Sequence, residues 1–159
     1  MKIQIKKLHE NATIPAYAHE GDACFDLSAA TVDGLRHVAA PIYHGKPVIC
    51  GTGLAVDVPD GHVMLIFSRS GHGFKSDIRL ANGTGIIDNG FTGEVMIKLA
   101  CDAPTENDNG EALPCSIIKP GDRIAQAMII PVESCVFDVV EQLSLSERGS
   151  NGFGSSGNA

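Results

Sequence analysis

A carboxylate, a guanidinium–hydroxyl cluster, a strand-borne amide and a cationic tail with one aromatic ring occupy four separate segments of this chain. The carboxylate is Asp88, within Gly85-Ile86-Ile87-Asp88-Asn89-Gly90-Phe91-Thr92-Gly93-Glu94. Asn-Gly is a favoured two-residue hairpin turn, because both residues tolerate positive φ. The spacing predicts Asp88 at the end of one strand and Phe91 at the start of the next, close together across the turn. Asp opens many turns for structural reasons alone, so this segment by itself does not identify a site.

The cluster is Ser68-Arg69-Ser70-Gly71-His72-Gly73, directly after a strand-like run. Backbone that can approach closely, a hydroxyl and a planar guanidinium together suit a phosphate group. A polar turn with a solvated Arg fits the same residues, and the spacing is not that of a P-loop. The amide is Gln126, in Lys119-Pro120-Gly121-Asp122-Arg123-Ile124-Ala125-Gln126-Ala127. Strand alternation puts Ile124, Gln126 and Met128 on one face and Arg123, Ala125 and Ala127 on the other. Gln126 on an apolar face needs a ligand or a neighbouring backbone group as partner. Asp122 and Arg123 read as a surface pair. The tail, Arg148 to Gly157, joins Arg148, Phe153 and small hydroxyls on Gly-rich backbone. Such a segment could stack a ring on a planar ligand while its cation and hydroxyls meet phosphates; a linker would also fit.

The elements that must position these groups are short strands. Ile3 and Ile5 alternate with polar residues, and Leu54 to Val58 runs through Pro59-Asp60-Gly61 into His62 to Phe67. Val95 to Leu99, Ile124 to Ile130 and Val136 to Val140 continue the pattern, rich in β-branched residues. No window carries a helical apolar stripe over three turns, although a short helix after Ser70-Gly71 is compatible with the pattern. Eighteen Gly and eight Pro supply turns throughout. The expected fold is an all-β sandwich, jelly roll or barrel in one domain. The boundaries read as a β domain over 1–145 and an arm over 146–159. Two polar, Gly- and Pro-broken surface loops are expected at 31–47 and 102–114.

The net charge of −7 argues against a nucleic-acid polymer as partner, because backbone phosphates require a surplus of Lys and Arg. A small anion held by a few local cations stays open. The five cysteines are odd in number, widely spaced and without a CxxC pair. They are read as mostly small buried hydrophobes in a reducing compartment. No segment has the apolar length of a membrane span, and the N-terminus is too polar for a signal peptide; a cytoplasmic protein is expected. None of the six His shows metal-ligand spacing, so no protein-built transition-metal site is predicted.

Taken in order, the segments resemble the five motifs of the trimeric deoxyuridine triphosphatase (dUTPase) family, over about 135 residues. The first is Asp22-Ala23-Cys24-Phe25-Asp26-Leu27, and the second Arg69-Ser70-Gly71, preceded by Thr52-Gly53-Leu54-Ala55. The third is Asn82 to Glu94, the fourth Gly121 to Gln126 and the fifth Arg148 to Gly157. The resemblance implies jelly-roll-like subunits in a homotrimer that hydrolyses dUTP to dUMP and pyrophosphate with Mg²⁺, supplying dUMP for dTMP synthesis and keeping uracil out of DNA. In that implication Asp88 is the general base. Asn82 and the backbone of Gly85, Ile86 and Ile87 read the uracil edge, while Phe91 and Met96 form the sugar-side floor. Arg69, Ser70, Gly71 and Gln126 hold the α- and β-phosphates. Phe153 stacks on uracil as Arg148, Gly154, Ser155 and Ser156 close over the rest, and Asp26 lies near the metal through water. The cradle, the Asp88 segment and the tail of one site are expected from different subunits; fourteen tail residues can extend on the order of 45 Å.

The chain departs from the family pattern at Cys24, Ser68, Phe91 and Asn151, where Gly, Pro, Tyr and Gly are usual, and its 102–114 loop is long. None of these removes a group the reaction needs. Two alternatives remain. A dCTP deaminase of similar fold would use a Glu base and lack the tail, and a regulatory protein could use the 102–114 loop to bind a partner.

Overall fold

The computed structural model describes residues 1–146 and 149–150. Among them run twelve strands and one helix. They are β1 (Gln4–Lys7), β2 (Phe25–Ser28), β3 (Thr31–Val32), β4 (Ala40–Ile42), β5 (Val48–Gly51), β6 (Leu54–Asp57), β7 (His62–Phe67), α1 (Ser70–Ser76), β8 (Ile78–Leu80), β9 (Gly85–Ile87), β10 (Met96–Cys101), β11 (Ser116–Ile118) and β12 (Arg123–Pro131). Two four-stranded sheets, β3-β5-β10-β8 and β2-β12-β7-β9, are joined by the two-stranded pairs β1-β6 and β4-β11. Every pairing is antiparallel.

Alternation explains the layers. On β10, Ile97, Leu99 and Cys101 are buried while Met96 and Lys98 are exposed. On β7, Met64 and Ile66 are buried between half-buried Leu65 and Phe67. The inward residues of both sheets belong to one core, with Leu27, Ala125 and Ala127 from one and Val48, Cys50, Ile78 and Leu80 from the other. Short β-branched strands, each polar on one face, are stable only when two sheets close over such a core.

Several expectations need correction. A register shift between Arg123 and Ala125 on β12 breaks strict alternation, so Ile124 and Ala125 are both buried and Ile124 does not share the face of Gln126. Residues 136–140 form no strand; Val136 is 97% and Val139 98% exposed, and among the described residues no strand pairs with them. The 31–47 segment is not an open loop but contains β3 and β4, which pair with β5 and β11. The 102–114 loop folds back on itself. Asn107 Oδ1 accepts from the N–H groups of Asn109 (3.0 Å) and Glu111 (2.9 Å). At its base Cys101 and Cys115 form a disulfide, a pairing that the reading of the cysteines as mostly small buried hydrophobes did not anticipate. Cys50 does behave as a small hydrophobe, its thiol pushed up to about 12, chiefly by burial.

The predicted Asp88 hairpin is also corrected. β9 pairs only with β7, and β10 pairs with β5 and β8, so the strands flanking Asn89-Gly90 lie in different sheets. Phe91 N–H donates to Asp88 O at 3.3 Å, and of the two central residues only Gly90 has positive φ (82°). This is a crossing turn between sheets, not the doubly left-handed hairpin turn.

Candidate active site

Where β9 leaves for the second sheet, a cleft opens between it and β10. Its volume is about 540 Å³, and its walls include Asn82, Gly85, Ile86, Ile87, Met96 and Lys98. β9 is an edge strand, so one side of its backbone is not used by the sheet and can present N–H and C=O groups to a flat polar edge. A Cβ at Gly85 would stand 3.1 Å from Ile66 Cβ on the adjacent β7, a tight contact at the cleft wall. The structure brings Asn82, Gly85, Ile86, Ile87 and Met96 to one cleft, the group that the resemblance implied.

Asp88 follows directly, exposed to solvent. Its turn is held at both ends. Asn89 Nδ2 donates to Val58 O at 2.6 Å, and Glu94 Oε1 accepts from Gly53 N–H at 2.7 Å. Thr52 Oγ1 donates to Val95 O at 2.8 Å. The ring of Phe91 folds over Gly93, where a Cβ would lie 2.7 Å from Phe91 Cζ. A surface carboxylate on so braced a turn has a defined direction. Asn89, Glu94 and Thr52 were not recognised as supports from sequence, because their partners lie 31, 41 and 43 residues away in the chain.

A second cleft, of about 430 Å³, is lined by His19, Asp22, Asp26, Arg69, Ser70, Arg123 and Gln126, among others. Arg69 Nε donates to Asp26 Oδ1 at 2.9 Å and Arg123 Nη1 to Asp26 Oδ2 at 3.0 Å. Arg123 therefore pairs with Asp26 rather than with Asp122, whose Oδ2 instead accepts from Lys119 N–H. One carboxylate thus sets the direction of two guanidiniums, and Arg123 is a cation of the cleft missed by reading it as a surface residue. Gln126 Nε2 donates to Ser68 O at 2.9 Å, so the backbone partner anticipated for it is present and buttresses the corner between β7 and α1. Ser68 Oγ in turn accepts from Leu80 N–H at 2.9 Å. Ser70 and Gly71 begin α1, whose first N–H groups precede any intrahelical bond and can face an anion. Burial and the nearby Arg69 hold the His72 imidazole below its ordinary range.

Asp88 and Arg69 lie beyond opposite ends of β7. Ile87 pairs with Met64 and Gly85 with Ile66, which sets Asp88 opposite Val63. From Val63 to Arg69 is six residues, about 20 Å at about 3.3 Å per residue. Arg148, Phe153, Gly154, Ser155 and Ser156 lie outside the described residues. No cluster of three or more His, Cys, Asp or Glu side chains is placed to hold a metal ion among the described residues.

The dUTPase family profile matches residues 10–157. A deoxyuridine 5'-triphosphate nucleotidohydrolase of Nautilia profundicola is 40% identical over 157 residues, covering 99% of both chains. That of Picosynechococcus sp. is 36% identical with the same coverage. Among solved structures, a point mutant of the Staphylococcus bacteriophage 80alpha dUTPase with dUpNHpp superposes with a TM-score of 0.78 at 30% identity, covering 99% of each chain. A point mutant of the dUTPase from phage phi11 of S. aureus, described as coordinating a structural Mg(II) ion, has a TM-score of 0.73 at 28% identity, covering 91% of this chain and all of that one. With five motifs in register, two clefts built from them and relatives matched end to end, the chain belongs to the dUTPase family.

Proposed function

We propose that the protein hydrolyses dUTP to dUMP and pyrophosphate in a site assembled from more than one copy of the chain. The observation that carries this reading is the separation of Asp88 from Arg69 along β7. A nucleobase seated against Asn82 and the free edge of β9 sends its phosphates past Phe91 toward Asp88, away from the same chain's Arg69. A span of about 20 Å along β7 is longer than a triphosphate, which supports a base and a cradle drawn from different copies. The Arg69, Ser70, Gly71 and Gln126 cradle that meets them comes from another copy.

The chemistry then follows from position. Uracil presents a donor, N3–H, between two carbonyl acceptors, a pattern that Asn82 and the backbone of Gly85, Ile86 and Ile87 complement and that cytosine reverses. Phe91, whose ring folds over Gly93, and Met96, in the cleft wall, are proposed as the floor beneath the sugar that excludes a 2′-hydroxyl. Asp88 accepts the proton of a water aligned for in-line attack at the α-phosphorus, and Arg69 and Arg123 oppose the phosphate charge. Mg²⁺, when bound with the substrate, neutralises triphosphate charge. Asp26, whose two carboxylate oxygens accept from Arg69 and Arg123, would meet the ion only through its hydration water. Arg148, Phe153, Gly154, Ser155 and Ser156 are proposed, on residue type alone, to close over the bound nucleotide.

The assembly is proposed to be a homotrimer. Val136, Phe137, Val139, Leu143 and Leu145 are 85% or more exposed in the single chain. An apolar run of that kind marks an interface, and each side chain gains about 1.5–3 kcal/mol when covered. Pyrophosphate release from dUTP, dCTP, dTTP and UTP by wild type and Asp88→Asn tests the mechanism. The expected loss is ~10²–10⁴-fold with dUTP; retained activity in the variant, or ammonia from dCTP without pyrophosphate from dUTP, refutes it.

A further inference from the structure

The base cleft contains one charge that the reading above leaves unused. Of the residues lining it, Lys98 is the only charged one and Asn82 the only side-chain amide. The two are held at the same end, because Ala81 N–H, one residue before Asn82, donates to Lys98 O at 2.8 Å. Alternation along β10 puts Lys98 on the side of Met96, away from the core. The ion pairs among the described residues are Arg69–Asp26, Arg123–Asp26 and Arg79–Asp102, and Lys98 takes part in none.

An ammonium beside Ile86, Ile87 and Met96 loses hydration when a flat base covers the cleft, and it must regain an acceptor to offset that cost. Uracil brings carbonyl oxygens. At C4, where uracil has an oxygen acceptor, cytosine has an amino donor. We propose that Lys98 is a specificity-determining residue whose Nζ donates to O4 of the bound uracil, adding to the rejection of cytosine that Asn82 and the β9 backbone provide. The proposal rests on the dUTP reading of this cleft. With cytosine, ammonium and amino group would face each other as two donors, and the buried cation would have no partner. A lysine that only solvates an exposed strand face would leave base selectivity unchanged.

The test is kcat/KM of the full chain for dUTP, dCTP and 4-thio-dUTP, in wild type, Lys98→Met and Lys98→Arg. Lys98 is exposed, so the substitutions should leave the unfolding temperature unchanged. Loss of a hydrogen bond from a charged donor corresponds to roughly 10–100-fold. Lys98→Met should lose that factor with dUTP and lose nothing with dCTP, so the dUTP-to-dCTP ratio shrinks by at least the same factor, while Lys98→Arg keeps most of it. Sulfur is a poor acceptor, so wild type should discriminate against 4-thio-dUTP and Lys98→Met should not. Equal losses with dUTP and dCTP, an unchanged dUTP rate in Lys98→Met, or a thio effect that survives the substitution would each overturn the proposal. Absence of pyrophosphate from dUTP with wild type would instead remove the dUTP reading on which it rests.

Discussion

Gly51→Ala is a remote change whose effect on the reaction can be worked out from contacts. Gly51 lies on β5 opposite Met96, with no charge and no place in either cleft. A Cβ there would stand 2.5 Å from Glu94 Oε1 and 2.6 Å from Thr31 Oγ1, so one of them must move. Glu94 Oε1 is the acceptor for Gly53 N–H that anchors the C-terminal end of the Asp88 turn. Overpacking a closed site costs about 1–3 kcal/mol, and removing a charged acceptor from a partly buried N–H costs about 1.5–3 kcal/mol. Gly51→Ala and Glu94→Ala act on the same contact, so they should not add; urea midpoints of the four-protein cycle should show coupling of about 1 kcal/mol or more. Glu94→Gln keeps an acceptor oxygen and should be milder than Glu94→Ala. Because Asp88 rides on this turn, kcat should fall in both alanine variants, on the order of 10²-fold if the carboxylate shifts by about 1 Å, with the oligomer unchanged by sedimentation. Full additivity in stability, or wild-type kcat in both variants, would refute the claim that Glu94 directs the base.

Two further outcomes concern stability. His72 has its folded pKa lowered from 6.5, so near and below that pH the unfolded chain binds more protons than the folded one, and stability should decline as pH falls below about 6.5. Urea midpoints from pH 7.5 to 5.5 should show a smaller decline in His72→Leu; an identical slope would assign the effect elsewhere. Reduction of Cys101–Cys115, which closes a span of 14 residues, should cost about 3 kcal/mol if chain entropy dominates. At about 2–4 °C per kcal/mol that is a clear shift in melting temperature with dithiothreitol, absent in Cys115→Ser.

Much of the site was legible because its parts are local. Arg69-Ser70-Gly71 and Asn82 to Glu94 are contiguous, and the strand period and turn residues depend on neighbours a few positions apart. The strand-dominated fold and the strands near 54–58, 62–67 and 95–99 follow from such patterns, and the short helix after Ser70 is compatible with them but not required. What misled was also local. Asn89-Gly90 suits a hairpin turn by residue preference, but which strand pairs with β9 is decided by the core that Met64 and Ile66 fill, not by the turn. Val136 to Val140 has strand-forming residues, yet a strand exists only where another edge accepts its hydrogen bonds.

The sequence by itself determined a short-stranded, acidic chain with Arg69-Ser70-Gly71, Asn82 and Asp88 in a stated order. Those are properties of residue type and spacing. Only the tertiary structure decided that Asp26 links Arg69 to Arg123, that Cys101 meets Cys115, and that Glu94 and Asn89 brace the Asp88 turn. It also set Asp88 and Arg69 at opposite ends of β7. The reason is physical. Each of these facts is a contact between residues distant in the chain, and such contacts arise from the way two sheets close over a common core.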